Sequence, residues 1–196
     1  MKQARGVESS TRVQLRLAPS LGDNTPAPLG LSVGDLAVYA SHGVGRVESA
    51  QPSQEDLSET LTLVFESGLK VTLPAARARD ALRPLSGPEE LEEVRRTLSA
   101  DVSPTNEPWS SRHRTLRQTV AAGTILGLAE VVRNGVQREW TLAAGTGGRP
   151  PAPSERELYL KARQLLASEI AACRGIDAAA ADAWIVQQIS GENAQT

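Results

Sequence analysis

Thr60-Leu61-Thr62-Leu63-Val64-Phe65, Glu66-Ser67-Gly68 and Leu69-Lys70-Val71-Thr72-Leu73-Pro74 form one continuous run in the chain. Apolar and polar residues alternate with period two through the first six positions, and β-forming types occupy nearly all of them, as in a half-buried strand. Ser67-Gly68 predicts a two-residue hairpin turn. Leu69 to Leu73 then returns as a second strand, which Pro74 ends because it has no N–H for the ladder. Upstream, Val33-Gly34-Asp35 is turn chemistry and Leu36-Ala37-Val38-Tyr39 is a short apolar strand. Gly43 and Gly45 allow a tight reversal into Arg46-Val47-Glu48. Four strands in so short a span predict a small antiparallel β-barrel.

The period changes downstream. Ser86-Gly87-Pro88-Glu89 opens a helix with proline and acids in its first turn, where the helix dipole favours negative charge, and Leu91, Val94 and Leu98 give it an apolar stripe. Asp101 to Pro108 is a polar linker. Residues 110–122 form a helix that stops at Gly123. Thr124 caps the next, with Leu128, Val131 and Val132 inward and Arg133 outward. Gly145 to Pro153 is predicted as an exposed loop. Ser154-Glu155-Arg156-Glu157 is a capping-box pattern before a long helix that buries Leu158, Leu165, Leu166 and Ile170. Asp177 caps a final helix through Ile189. The expected class is α+β, a small β-barrel followed by an all-α bundle.

The 196 residues suit two small domains, and with aromatics at 3% the cores must be built from Leu, Val, Ile and Ala. Cys173 is the single cysteine, so no intrachain disulfide and no paired-cysteine zinc site can form. No run approaches the roughly 18 apolar residues of a membrane span and the head has no apolar signal core. The chain therefore reads as cytoplasmic, with no membrane partner. Residues 1–29 carry Lys2, Arg5, Arg12 and Arg16 in a Ser/Thr/Pro background and are expected to be a disordered extension.

Chemistry for catalysis is sparse. His42 and His113 are the only two histidines; the first reads as a structural imidazole at a turn, the second, flanked by arginines, as suited to a phosphate or groove contact. Cys173 reads as a buried small hydrophobe, and Glu89, Glu90, Glu92 and Glu93 as a solvated first turn. No enzyme, cofactor or metal is expected.

A net charge of −2 conceals an asymmetry: residues 87–107 carry six acids against two arginines, and residues 108–150 carry six arginines against two glutamates. Trp109-Ser110-Ser111-Arg112-His113-Arg114-Thr115-Leu116-Arg117 opens the second of these stretches, with arginines three, five and eight residues after the ring. Guanidinium groups neutralise phosphates, and a ring at a helix start can wedge into a minor-groove base step. The same residues equally fit a packing anchor beside a solvated helix face. From the residues alone both readings stay open.

Taken in order, Val33-Gly34-Asp35, Val38-Tyr39, His42-Gly43-Val44-Gly45, Val47-Glu48, Leu73-Pro74, Trp109-Ser110 with Arg112 and Arg114, Gly123, Ala129-Glu130-Val131-Val132-Arg133 and Lys161-Ala162-Arg163-Gln164-Leu165-Leu166 resemble the CarD/CdnL family of bacterial transcription regulators. The resemblance spans roughly residues 31–189. It implies a Tudor-like domain over residues 30–86 that docks on the RNA polymerase β subunit, a helix and linker over 87–108, a helical domain over 109–190 that touches promoter DNA at the upstream edge of the bubble, and a tail over 191–196. It assigns the minor-groove wedge to Trp109 and basic contacts to Arg112, Arg114, Arg156, Lys161 and Arg163; Arg117 is added from helical spacing. The polymerase contact falls on Val71, Thr72, Leu73 and Pro74, through edge-to-edge strand pairing. The chain is expected to act as a monomer with weak, mostly non-specific DNA affinity of its own. It departs from the family pattern at Ala40, Thr72, Ser111 and His113, which marks a divergent paralogue. The alternative is a protein-interaction adaptor of the same fold that has lost the polymerase or DNA contact.

Overall fold

The structure, a computed structural model, describes residues 30–52, 59–101, 108–145 and 150–191. The expected basic extension, residues 102–107 of the linker, residues 146–149 of the exposed loop and residues 192–196 of the tail lie outside the described residues.

The fold is α+β. Strands β1 (Leu36–Tyr39), β2 (Gly43–Pro52), β3 (Glu59–Phe65), β4 (Lys70–Pro74) and β5 (Leu82–Arg83), with the helix α1 (Ala75–Ala81) between the last two, form one curled antiparallel sheet. Its order is β4-β3-β2-β1-β5, a half-barrel with β4 and β5 at its edges. The period-two residues Leu61, Leu63 and Phe65 face its core with Ala37, Val47, Ala78 and Leu82. The β3–β4 hairpin register matches Leu61 with Leu73 and Leu63 with Val71. Its turn is one residue longer than the sequence predicts: Phe65 N–H donates to Leu69 C=O at 2.9 Å, and Gly68 takes a φ of 80°. Neither α1 nor β5 was expected.

Five helices follow: α2 (Pro88–Ser99), α3 (Trp109–Ala122), α4 (Ile125–Ala143), α5 (Pro153–Arg174) and α6 (Ala178–Ser190). Val94 and Leu98 of α2 share one core with Leu116, Val120, Leu128, Val132, Leu166, Ile170 and Ile185. Asp177 caps α6 as its sequence position suggests, accepting from Ala180 N–H at 2.7 Å. Thr124 occupies the N-cap position of α4, though its side chain makes no capping bond. The α5 cap differs from the expected pattern: Ala152 is the N-cap, and Glu155 reaches back to its N–H at 3.2 Å. Arg133 of α4 donates to Thr97 C=O at 3.2 Å, satisfying a carbonyl near the end of α2. Among the described residues no helix is long and apolar enough to cross a membrane.

Sheet and bundle meet through several contacts among the described residues. Arg83 of β5 donates to both carboxylate oxygens of Glu169 in α5, at 2.5 and 2.6 Å, and to Gly123 C=O at 2.9 Å. Ser86 Oγ adds a bond of 2.8 Å to Glu169, whose side chain is 1% exposed. The hydrogen bond to Glu169, reinforced by its charge, shifts the Arg83 pKa further upward. In addition, Gly43 of β2 closes against Leu165, and Gly123 against Ala40.

Gly123 is required twice over. Its φ of 61° ends α3 in the left-handed region, and an added Cβ would lie 2.7 Å from Ala40 Cα. Gly175 has a φ of 64° with open space around it. Gly175→Ala is therefore expected to cost only the conformational term, about 1 kcal/mol. Gly123→Ala should cost about 2–3 kcal/mol because the sheet must also back away. Urea unfolding of both variants checks the difference; equal losses would mean that the Ala40 contact is slack.

Candidate functional site

The first turn of α3 holds the exposed ring. Pro108 is the N-cap, and Trp109 is 51% exposed. The residues at i and i+4 of a helix lie on one face, with side chains leaning toward the N-terminus. Accordingly the His113 ring sits against the indole, with centroids 5.1 Å apart and planes at 23°. Leu116 and Val120, further along α3, enter the core. About half of the indole is therefore open to solvent.

The six cations expected to meet DNA divide into two sets. Arg112 donates to Glu155 at 3.0 Å, and that carboxylate, at the first turn of α5, has a side chain only 1% exposed. Burying a carboxylate without a partner is costly, so Arg112 is held as the bridge between the first turns of α3 and α5. Nearby, burial pushes the Tyr159 phenol up, and the Glu155 charge adds to that. Arg163 is likewise engaged, donating to both carboxylate oxygens of Asp182 in α6 at 2.5 and 2.7 Å.

Arg114, Arg117, Arg156 and Lys161 are exposed. Arg114 and Arg117, three residues apart, flank one another on α3. Arg156 follows Glu155 and so lies at the Trp109 end of the bundle. Lys161 stands apart from them, lining a groove of about 500 Å³ between the sheet turns at Ser41, His42 and Ser67 and helices α5 and α6. This groove also carries Glu66 and Asp182 and is therefore mixed in charge. Sequence reasoning missed Glu155, Glu169 and Arg83, which organise these elements without being exposed themselves.

The second candidate surface is the outer side of β4, which among the described residues pairs only with β3. Val71 and Leu73 are half-buried toward the sheet core, whereas Lys70, Thr72 and Pro74 are exposed. Given the Phe65–Leu69 bond, the alternation of an antiparallel ladder turns the backbone groups of Lys70 and Thr72 away from β3. Pro74, which lacks an N–H, occupies the next outward position. Thr72 Oγ1 lies 3.0 Å from Thr62 Oγ1, and Lys70 pairs with Glu48 at 2.5 Å.

Two further reactive side chains, His42 and Cys173, have packing or hydrogen-bond partners. The His42 ring packs between Tyr39 and Phe65, with centroids at 5.4 and 5.5 Å. The Cys173 thiol donates to Ser86 C=O at 3.4 Å. Burial, followed by the Glu169 charge, pushes its pKa up, away from the reactive thiolate.

Two family models match this architecture in chain order. Residues 31–86 match the CarD-like/TRCF RID domain, and residues 93–186 match the CarD C-terminal domain. The family is one of non-enzymatic transcription factors, and the RID domain is an RNA polymerase-interacting domain. With both of its domains present in order over most of its length, the chain belongs to the CarD-like family.

Proposed function

We propose that this protein is a transcription factor that docks on the β subunit of RNA polymerase through the free edge of β4, at Val71, Thr72, Leu73 and Pro74. From there it stabilises the promoter open complex by minor-groove contact of Trp109 at the upstream bubble edge. The observation that carries this reading is the half-exposed indole at the tip of α3, at the end of the bundle where Arg156 also lies. Arg114, Arg117 and Arg156 supply the phosphate contacts nearest the ring, and Lys161 a more distant one. Arg112 and Arg163 act indirectly, by holding α3 against α5 and α5 against α6.

The polymerase contact is supported by the edge position of β4 and its outward backbone groups. Strand addition draws its affinity from main-chain hydrogen bonds, so the departure from the family pattern at Thr72 leaves the principal contact in place. Thr72→Pro tests this reading. Proline is tolerated on an edge strand where the N–H faces outward, so the thermal midpoint should change little. Calorimetric titration of the full-length chain against the polymerase β lobe should show micromolar binding by the natural sequence and binding weaker by about tenfold or more for Thr72→Pro, from the lost N–H bond and the added ring. Equal affinities would remove the edge from the interface. No binding by the natural sequence would favour the adaptor reading, which also draws support from the commitment of Arg112 and Arg163 to internal ion pairs.

A further inference from the structure

We infer that His113 is a positioning residue for Trp109: it holds the indole in one orientation before DNA is met. This rests on the reading of Trp109 as the groove wedge. Three observations support it. The two rings stack at 5.1 Å and 23° on consecutive turns of α3. About half of the indole remains exposed, so the stack braces the ring without burying it. His113 Nε2 is shielded from solvent and has no hydrogen-bond partner among the described residues.

The last point separates bracing from ordinary packing. A shielded ring nitrogen without a partner is unfavourable, and a histidine optimised for stability or for phosphate contact would direct that atom to an acceptor or to water. Here the ring is spent on its flat face. The base of α3 is fixed as well, because Arg112, one residue earlier, is anchored on the buried Glu155. The indole is thus presented from a turn whose backbone and neighbouring ring are both constrained. Fixing a side chain in advance removes an ordering cost that would otherwise fall on binding.

The test is the lifetime of open complexes formed by the cognate polymerase and the full-length chain, measured after competitor challenge. His113→Ala should shorten the lifetime roughly 2- to 12-fold, the range expected when one large side chain must be ordered on binding. Its thermal midpoint should stay within about 3 °C of the natural sequence. His113→Phe keeps a flat ring without the unpartnered nitrogen and should preserve the lifetime. His113→Leu retains apolar bulk without flatness and should behave like His113→Ala, which keeps the comparison available if the alanine variant unfolds. In a Trp109→Ala background His113→Ala should have no further effect. If Trp109→Ala shortens the lifetime while both His113→Ala and His113→Leu leave it unchanged, the positioning role is wrong and the wedge stands. The positioning role is also wrong if the Trp109 and His113 effects multiply independently. If Trp109→Ala itself changes nothing, the wedge reading falls and the bracing role falls with it.

Discussion

Arg83→Met is expected to lose about 3 kcal/mol of stability, near the lower end of the range for removing one partner of a buried ion pair. Glu169 would be left nearly solvent-free with, among the described residues, the Ser86 hydroxyl as its remaining donor, and Gly123 C=O would lose its guanidinium partner. At 2–4 °C per kcal/mol for a chain of this size, the thermal midpoint should fall by roughly 6–12 °C. Adding Glu169→Leu should restore much of the loss, because replacing both members of a buried pair with apolar groups is often neutral or favourable. Restoration should be incomplete, since Gly123 C=O remains unpaired. Thermal unfolding of the two single variants and the double variant measures this coupling. Additive losses would show that the pair is not the joint between sheet and bundle that its geometry indicates. Because this joint sets the distance between the β4 edge and Trp109, its loss should also weaken transcriptional activity at temperatures where both halves remain folded.

Trp109→Ala should show the opposite profile. The ring sits in the first turn of α3 and makes its principal ring contact with His113, so the thermal midpoint should fall by no more than about 2–4 °C, corresponding to about 1 kcal/mol. Aromatic residues at the centre of an interface carry 2 kcal/mol or more. The open-complex lifetime should therefore shorten by about 30-fold or more, at 1.4 kcal/mol per factor of ten. A fall of 10 °C in the midpoint would place the ring among the structural residues. An unchanged lifetime would remove it from the DNA contact.

The chain shows most of its architecture in its periodicities, and the parts it hides have physical reasons. Leu61, Leu63 and Phe65 alternate because one face of β3 is buried, and Val94 with Leu98 follows the helical repeat for the same reason. α1 and β5 carry too little pattern to read: Ala78 is the one buried residue of α1, and β5 has two residues, paired only with β1. Trp109 stands out in a chain with six aromatics. By contrast, Arg112 and Arg163 look like any other exposed cation in sequence, because their partners Glu155 and Asp182 lie 43 and 19 residues away. A signal for the ion pairs of Glu155 and Glu169 did exist in α5. Glu155, Ala162, Leu166 and Glu169 follow one helical face, and all four are buried. Two acids on an apolar stripe demand cationic partners from other elements. Arg112 and Arg83 meet that demand.

The most direct measurement is a promoter footprint of the polymerase open complex with and without the full-length chain. Added protection confined to the upstream edge of the bubble, lost in Trp109→Ala while polymerase binding is retained, is the expected result. A footprint and an open-complex lifetime that the chain leaves unchanged, with polymerase binding demonstrated, would contradict DNA contact by α3 and leave a polymerase-bound adaptor in its place.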